Sequence, residues 1–255
     1  MDRKGWSIML SLVVLMLAAF ASGALNAIAG GGAFITFPAL LFAGVPPVAA
    51  NASSTVALFP GQAASSWAYR REIAAGGQVN VPIFAVLSLV GGLIGALLLL
   101  LTPNAVFARF VPWLLLFATA VFAVGAYAPW IVSRLRLGGR SVLVVQFVIS
   151  IYGGYFGGGI GFLMLAALTL FGLRDIHAMN GLRLLLAMLM NAAAVGAFIL
   201  AGTVSWPETT VMAVAAMAGG YAGAMGAKRV DPKILKTLVV LIGAALTLYF
   251  FAKGA

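Results

Sequence analysis

The 255-residue chain is 64% hydrophobic and 8% charged, where an average soluble domain carries roughly 25% charge, and so few ionic groups exclude a soluble globular protein. Its 15 Lys and Arg against 5 Asp and Glu give a net charge of +10, yet the basic residues fall in short clusters between apolar stretches, the pattern of membrane loops and not of a nucleic-acid surface. The absence of cysteine and a single histidine, His177, exclude disulfide, thiolate and histidine-built metal centres, so no metal or cofactor is expected.

The first apolar stretch follows Arg3 and Lys4 and passes Ala21-Ser22-Gly23, which looks like a signal-peptide cleavage site. Hydrophobicity does not fall there, so the stretch reads as an uncleaved membrane element. In chain order the apolar stretches cover 6–43, 47–69, 79–101, 105–132, 141–173, 178–202, 208–226 and 232–252. At about 20 residues per helical crossing they consume the chain and leave no room for a soluble domain.

The first and fifth stretches are too long for one crossing, and each contains a glycine triplet: Gly30-Gly31-Gly32 and Gly157-Gly158-Gly159. Three glycines in a row weaken a helix by about 1 kcal/mol each. In hydrocarbon such a break needs cover from protein or a wet cavity. A shift of 128 superposes Gly30 and Gly31 on Gly158 and Gly159, Phe34 on Phe162, Gly44 on Gly172, and Gly91, Gly92 and Gly95 on Gly219, Gly220 and Gly223. An internal duplication is expected, with 1–128 as the first repeat and 141–255 as the second, joined by a basic loop around 133–140. The triplets have a second reading as close-packing motifs, and for Gly91 and Gly95 packing is the better one.

If the first and fifth stretches each enter and return at their glycines, ten basic residues fall on the cytoplasmic side and four outside. Eight uninterrupted crossings would give eight against six. The positive-inside rule therefore favours two inverted-topology repeats, each with a glycine-broken first helix or hairpin, in an all-α polytopic membrane protein. Inverted repeats with broken helices are the architecture of secondary transporters, whose substrate lies between the halves near the midplane.

The polar inventory points to an anion. All five acidic residues, Asp2, Glu72, Asp175, Glu208 and Asp231, lie at or beyond segment ends, so none serves as a midmembrane cation site or relay. Arg183 lies about a turn and a half inside an apolar helix. It either meets a bound oxyanion or snorkels to the headgroups. The amides of Gly30, Gly31, Gly32, Gly157, Gly158 and Gly159 are candidate oxyanion donors. The other candidates are Asn26, Asn51, Ser53, Ser54 and Thr55 in the first half, and His177, Asn180 and Arg183 in the second. Asn51 and Ser53 also resemble helix caps, and His177 is either a capping residue or a titrating one. Gln62, Gln146 and Asn191 read as interhelical hydrogen-bonding residues, and Trp67, Trp113, Trp130 and Trp206 as interfacial anchors. Tyr152, Tyr155 and Phe156 are candidates for facing an aryl substrate.

The string GGGAFITFPALLFAG from Gly30, continuing into VPPVAANASS, resembles the first signature of the TauE/SafE family of membrane transporters. In the second half, GGYFGGGIGFLMLAALTLFGLRDIHAMNGLR, LAGTVSWPE and GGYAGAMGAKRVDPKILKTLVVLIG are similar to that family's later elements. The resemblance covers about residues 20–250. It departs at Asn51-Ala52-Ser53, where the family has a Thr-Ser element, and at Gly77–Val81, where its G-x-V-x-W loop is degraded. The resemblance implies transport of sulfite, sulfoacetate or another small sulfur oxyanion across a bacterial inner membrane.

The expectation is a permease working by alternating access, and not an enzyme. A proton or cation is the candidate coupling species, and a homodimer the candidate assembly. The rival is an anion channel with a glycine-lined pore. An intramembrane enzyme would need a nucleophile beside a base, which the lone histidine does not supply, and no G-x-x-x-x-G-K-[ST] string for nucleotide binding is present.

Overall fold

A computed structural model describes residues 3–28, 31–70, 80–128, 138–173, 176–226 and 232–252. Among these there are ten α-helices and no strand, an all-helical polytopic membrane architecture. Helices α1 (Arg3–Ile28), α2 (Ala33–Phe42), α3 (Pro47–Ala68), α4 (Val81–Leu101) and α5 (Asn104–Tyr127) are followed by α6 (Gly139–Tyr155), α7 (Ile160–Leu170), α8 (Ile176–Leu200), α9 (Trp206–Gly226) and α10 (Pro232–Ala252). Spans of 21, 21 and 23 residues in α4, α5 and α8 are long and apolar enough to cross a membrane by length and composition.

Both overlong apolar stretches are divided in two. The first leaves its helix before α2, at Gly31 and Gly32, and the second between Tyr155 and Ile160. The short helices that follow have 10 and 11 residues, or about 15–17 Å each, half a bilayer. Both then end in the same way. The Val45 amide donates to Leu40 O and the Gly44 amide to Leu41 O; Leu173 donates to Leu168 O and Gly172 to Thr169 O. Each pair closes a left-handed glycine cap that satisfies the last helical carbonyls.

The first five helices and the last five exchange places in the packing. Helix α1 has its most extensive interface with α9, and α6 has its own with α4. Glycine sets both distances. A Cβ on Gly219 would meet the Phe20 backbone and one on Gly223 the Ala24 backbone; one on Gly95 would meet Ile151 O, and one on Gly154 would meet Gly92 O. The packing reading of Gly91 and Gly95 holds. Helix α3 packs on α9 as α8 packs on α4, and α5 pairs with α10.

Helices α3 and α8 meet at the centre and run in opposite directions. The Asn191 amide donates to Gln62 Oε1 at 2.6 Å, while Tyr69, which follows the last turn of α3, lies within electrostatic range of Arg183, earlier on α8. Gln146 Nε2 likewise donates to Ser88 Oγ at 2.9 Å, joining α6 to α4. The interhelical reading of Gln62, Gln146 and Asn191 is thus observed. Trp67 and Trp206 are exposed near helix ends. Trp113 is different: it lies well inside α5, exposed on its outer side with its ring edge against Phe251 at 5.0 Å. Trp130 lies outside the described residues.

Candidate functional site

Gly31 and Gly32, buried, form the described part of the first break; Gly30 lies outside the described residues. Gly32 O is the focus of this region. Ser22 Oγ donates to it at 2.6 Å and Thr36 Oγ1 approaches it at 3.4 Å, alongside the Ile35 amide at 3.0 Å. Thr36 Oγ1 also shares a 2.6 Å hydrogen bond with Ser54 Oγ on α3. A Cβ on Gly32 would stand 2.6 Å from Ser22 Oγ and 3.1 Å from Asn26 Cβ, so only glycine lets α1 fold back against this turn.

The second break has different chemistry. Gly157 and Gly159 are left-handed at φ +77° and +72°, a conformation that costs other residues about 1–2 kcal/mol. Tyr152 donates its hydroxyl to Gly158 O at 2.9 Å, and Asn51 Nδ2 donates to Tyr155 O at 3.0 Å. Rings fill the remaining space. Phe156 and Phe107 both stand edge-on to Phe37, and Tyr155 stands edge-on to Phe107. Tyr152, Tyr155 and Phe156, read as candidates for an aryl substrate, are thus engaged in packing and in holding the break. No side chain caps α2 or α7; at α2 the Phe34 and Ile35 amides turn back onto Gly31 O and Gly32 O at 3.1 and 3.0 Å, whereas the amides that open α7 have no acceptor in the helical ladder.

The structure brings some candidates to these breaks and separates others. Asn26 adjoins the first, Ser54 reaches it through Thr36, and Asn51 holds the second. Neither Asn51 nor Ser53 caps its own helix, because Pro47 is already the first helical residue and both lie a turn further in. Ser53 Oγ instead accepts the Ser205 amide at 2.9 Å, at the start of α9. Thr55 donates back to Asn51 O within α3.

Arg183 and Asn180 lie elsewhere. Met190 is the α8 residue that packs on Gly153 beside the second break. Arg183 is two turns earlier, about 10 Å along the helix. It is 6% exposed, and its Nε has no hydrogen-bond partner among the described residues. His177 begins α8, at the end of that helix away from the break. Sequence reading missed Ser22, Thr36 and Tyr69. Ser22 and Thr36 stand alone within apolar strings, and only the fold brings them to one carbonyl.

A bundle of apolar helices interrupted at two half-length helices, with a buried arginine among them, is an architecture that membrane transporters use. The family model described as "Sulfite exporter TauE/SafE" matches residues 15–250, and the chain belongs to that family. It is 30% identical over 246 residues to "Probable membrane transporter protein ORF9" of a Sinorhizobium species, covering 94% of this chain and 92% of the relative. It is 30% identical over 248 residues to a probable membrane transporter protein of Haemophilus influenzae, with 92% of each covered. With the probable membrane transporter protein YfcA of Escherichia coli it shares 28% over 247 residues, 93% of this chain and 88% of the relative. No solved structure matches the chain.

Proposed function

We propose that the protein is a bacterial inner-membrane permease that carries a small sulfur oxyanion, a sulfonate or sulfite, by alternating access between two inverted halves. The observation that carries the anion is Arg183: a guanidinium 6% exposed, with Nε unpartnered among the described residues. A buried guanidinium N–H without a partner is costly, and an oxyanion accepting two parallel N–H bonds relieves that cost. The name of the matching family supports sulfite or a chemical relative of it.

Several features support the inverted halves. The antiparallel course of α3 and α8 is what two oppositely oriented copies of one half produce. Arg70, at the end of α3, and Arg140, at the start of α6, fall at the same end of the bundle, since Asn51 near the start of α3 meets Tyr155 at the end of α6. Arg109 falls at the other end, because Asn104 Oδ1, at the start of α5, accepts the Val48 amide at the start of α3. The positive-inside rule then makes the first end cytoplasmic, with Arg183 in that half of the bundle. The amides that open α7 would receive the anion nearer the midplane, and the molecule passes between the two positions without chemical change.

The test is uptake into liposomes holding the purified protein, with labelled sulfite and sulfoacetate against sulfate, a carboxylate, a sugar and a cation. Saturable sulfonate or sulfite uptake that Arg183→Gln lowers at least about tenfold is expected, the size of one lost charge-assisted pair. Uptake of the sugar or cation alone, or unchanged sulfonate uptake by the variant, would overturn the reading.

A further inference from the structure

Besides Arg183 Nε, three side-chain atoms are buried without a hydrogen-bond partner among the described residues: Thr119 Oγ1, Gln146 Oε1 and Asn191 Oδ1. Packing seals the first two. Thr119 lies against Gly243, and Gln146, 0% exposed, is held between α6 and α4 by its bonds to Ser150 and Ser88. Asn191 is different. It is 4% exposed, yet its partner Gln62 is only half-buried, and nothing lies within 4 Å of a would-be Cβ on the adjacent Gly61. Open space therefore adjoins the pair on the α3 side.

The hydrogen-bonding capacity of the pair can be counted. Two carboxamides carry four N–H groups and two carbonyls, and the bond from Asn191 to Gln62 uses one of each. Whichever amide donates, three N–H groups and one unengaged carbonyl remain. The N–H groups suit an oxyanion. The carbonyl does not: an anion without a hydrogen to give leaves it buried and unsatisfied. Only a solute that brings its own donor completes the site. The second break is close by, since Met190, the residue before Asn191, packs its sulfur on Gly153, one turn before that break.

We propose that Asn191 is a specificity-determining residue of the transport site, and that the cargo is an oxyanion carrying a hydrogen-bond donor, a hydroxyl or an N–H, apart from its anionic group. This rests on the anion reading of the site. The anionic group lies toward the Gln62 amide and the amides that open α7, and the donor gives its hydrogen to Asn191 Oδ1. Sulfate has no hydrogen to give and is disfavoured; sulfite enters only as its protonated monoanion. A site of this kind discriminates strongly, because an analogue without the donor must bury the same carbonyl unpaired. Arg183, about 12 Å away along α8, meets the anion at its other position and senses only the charge.

The test uses two matched pairs that differ only in a hydroxyl: 2-hydroxyethanesulfonate with ethanesulfonate, and 3-hydroxypropionate with propionate. Each is titrated against the purified wild-type protein in detergent, and the concentration for half-maximal thermal stabilisation is read. The hydroxylated sulfonate should need about tenfold less than its partner. Asn191→Leu, which nearly keeps the volume and removes the carbonyl, should bring the two within about twofold of one another. Arg183→Gln should weaken both sulfonates alike and keep their ratio. If Asn191→Leu does not fold, the wild-type ratio still decides. Equal affinity for the two sulfonates in the wild type means that water satisfies Asn191; it overturns the proposal and leaves the anion reading standing. A preserved ratio in Asn191→Leu also overturns it. Preference for the hydroxylated carboxylate without sulfonate binding keeps the role of Asn191 and removes only the sulfur. Binding of none of the four overturns the proposal, and the uptake assay then decides the anion reading by itself.

Discussion

Gly44 and Gly172 hold the same left-handed backbone, at φ +87° and +88°. Both are exposed, and neither has an atom within 4 Å of a would-be Cβ. Their requirement for glycine is therefore conformational and not steric. They end the two short helices, and the chain enters α3 or approaches α8 from the turn each one makes.

Replacing either glycine by alanine should cost about 1–2 kcal/mol, the penalty of the left-handed region for a residue with a Cβ. Asparagine at the same positions should cost less, since it tolerates that region. Reversible unfolding in mixed micelles would measure this, with Gly44→Ala and Gly172→Ala giving similar losses.

Glycines at helix interfaces should behave in the opposite way. At Gly95 a Cβ would stand 2.7 Å from Tyr155 N and 2.9 Å from Gly154 C. Backbone cannot yield as a flexible side chain can, so Gly95→Val should destabilise by about 1–3 kcal/mol or more. Gly196, inside α8, has open space around it. Gly196→Ala there should raise stability by up to about 1 kcal/mol. The pair of melting curves separates packing glycines from incidental ones.

Arg183→Met should leave stability unchanged or raise it, because the variant removes a buried charge whose Nε is unpartnered and keeps most of the volume. Transport should nevertheless fall at least about tenfold. A residue that mattered only for structure would lose both together, so melting midpoint and uptake rate are measured on the same preparation.

Ser53→Ala should destabilise by about 1–3 kcal/mol by orphaning the Ser205 amide. Thr55→Ala removes only a bond within α3 and should cost less. Hydrogen exchange at the start of α9 provides the local readout: faster exchange there in Ser53→Ala, and no change in Thr55→Ala.

Much of this architecture is legible in the sequence, for definite reasons. A glycine triplet in an overlong apolar run has few structural outcomes in hydrocarbon, so both breaks were readable. The common register of Gly44 with Gly172 and of Gly95 with Gly223 reflects matching backbone demands, which sequence preserves. Polar partners across helices are harder. Ser22, Thr36 and Ser54 carry no local pattern, and the chain that joins Ser22 and Thr36 at Gly32 O and Thr36 to Ser54 depends on how α1, α2 and α3 fold together. Asn51 and Ser53 resembled caps because they follow a turn, but Pro47 starts the helix earlier and frees both side chains for neighbours. Ser205 and Glu208, three residues apart and joined at 2.7 Å, form a helix start that was not read from the string SWPE.

The bond from the Ser205 amide to Ser53 has a consequence for biogenesis. Helix α3 is synthesised about 150 residues before its partner, and α1 waits longer still for α9, since Phe20 meets Gly219 and Ala24 meets Gly223. The early-made segments must remain in the bilayer with unmatched grooves until the ribosome delivers the late ones. A truncated product ending before α9 would expose these grooves to lipid and to quality-control proteases, whereas two separately produced halves should recover function when they are made in the same cell.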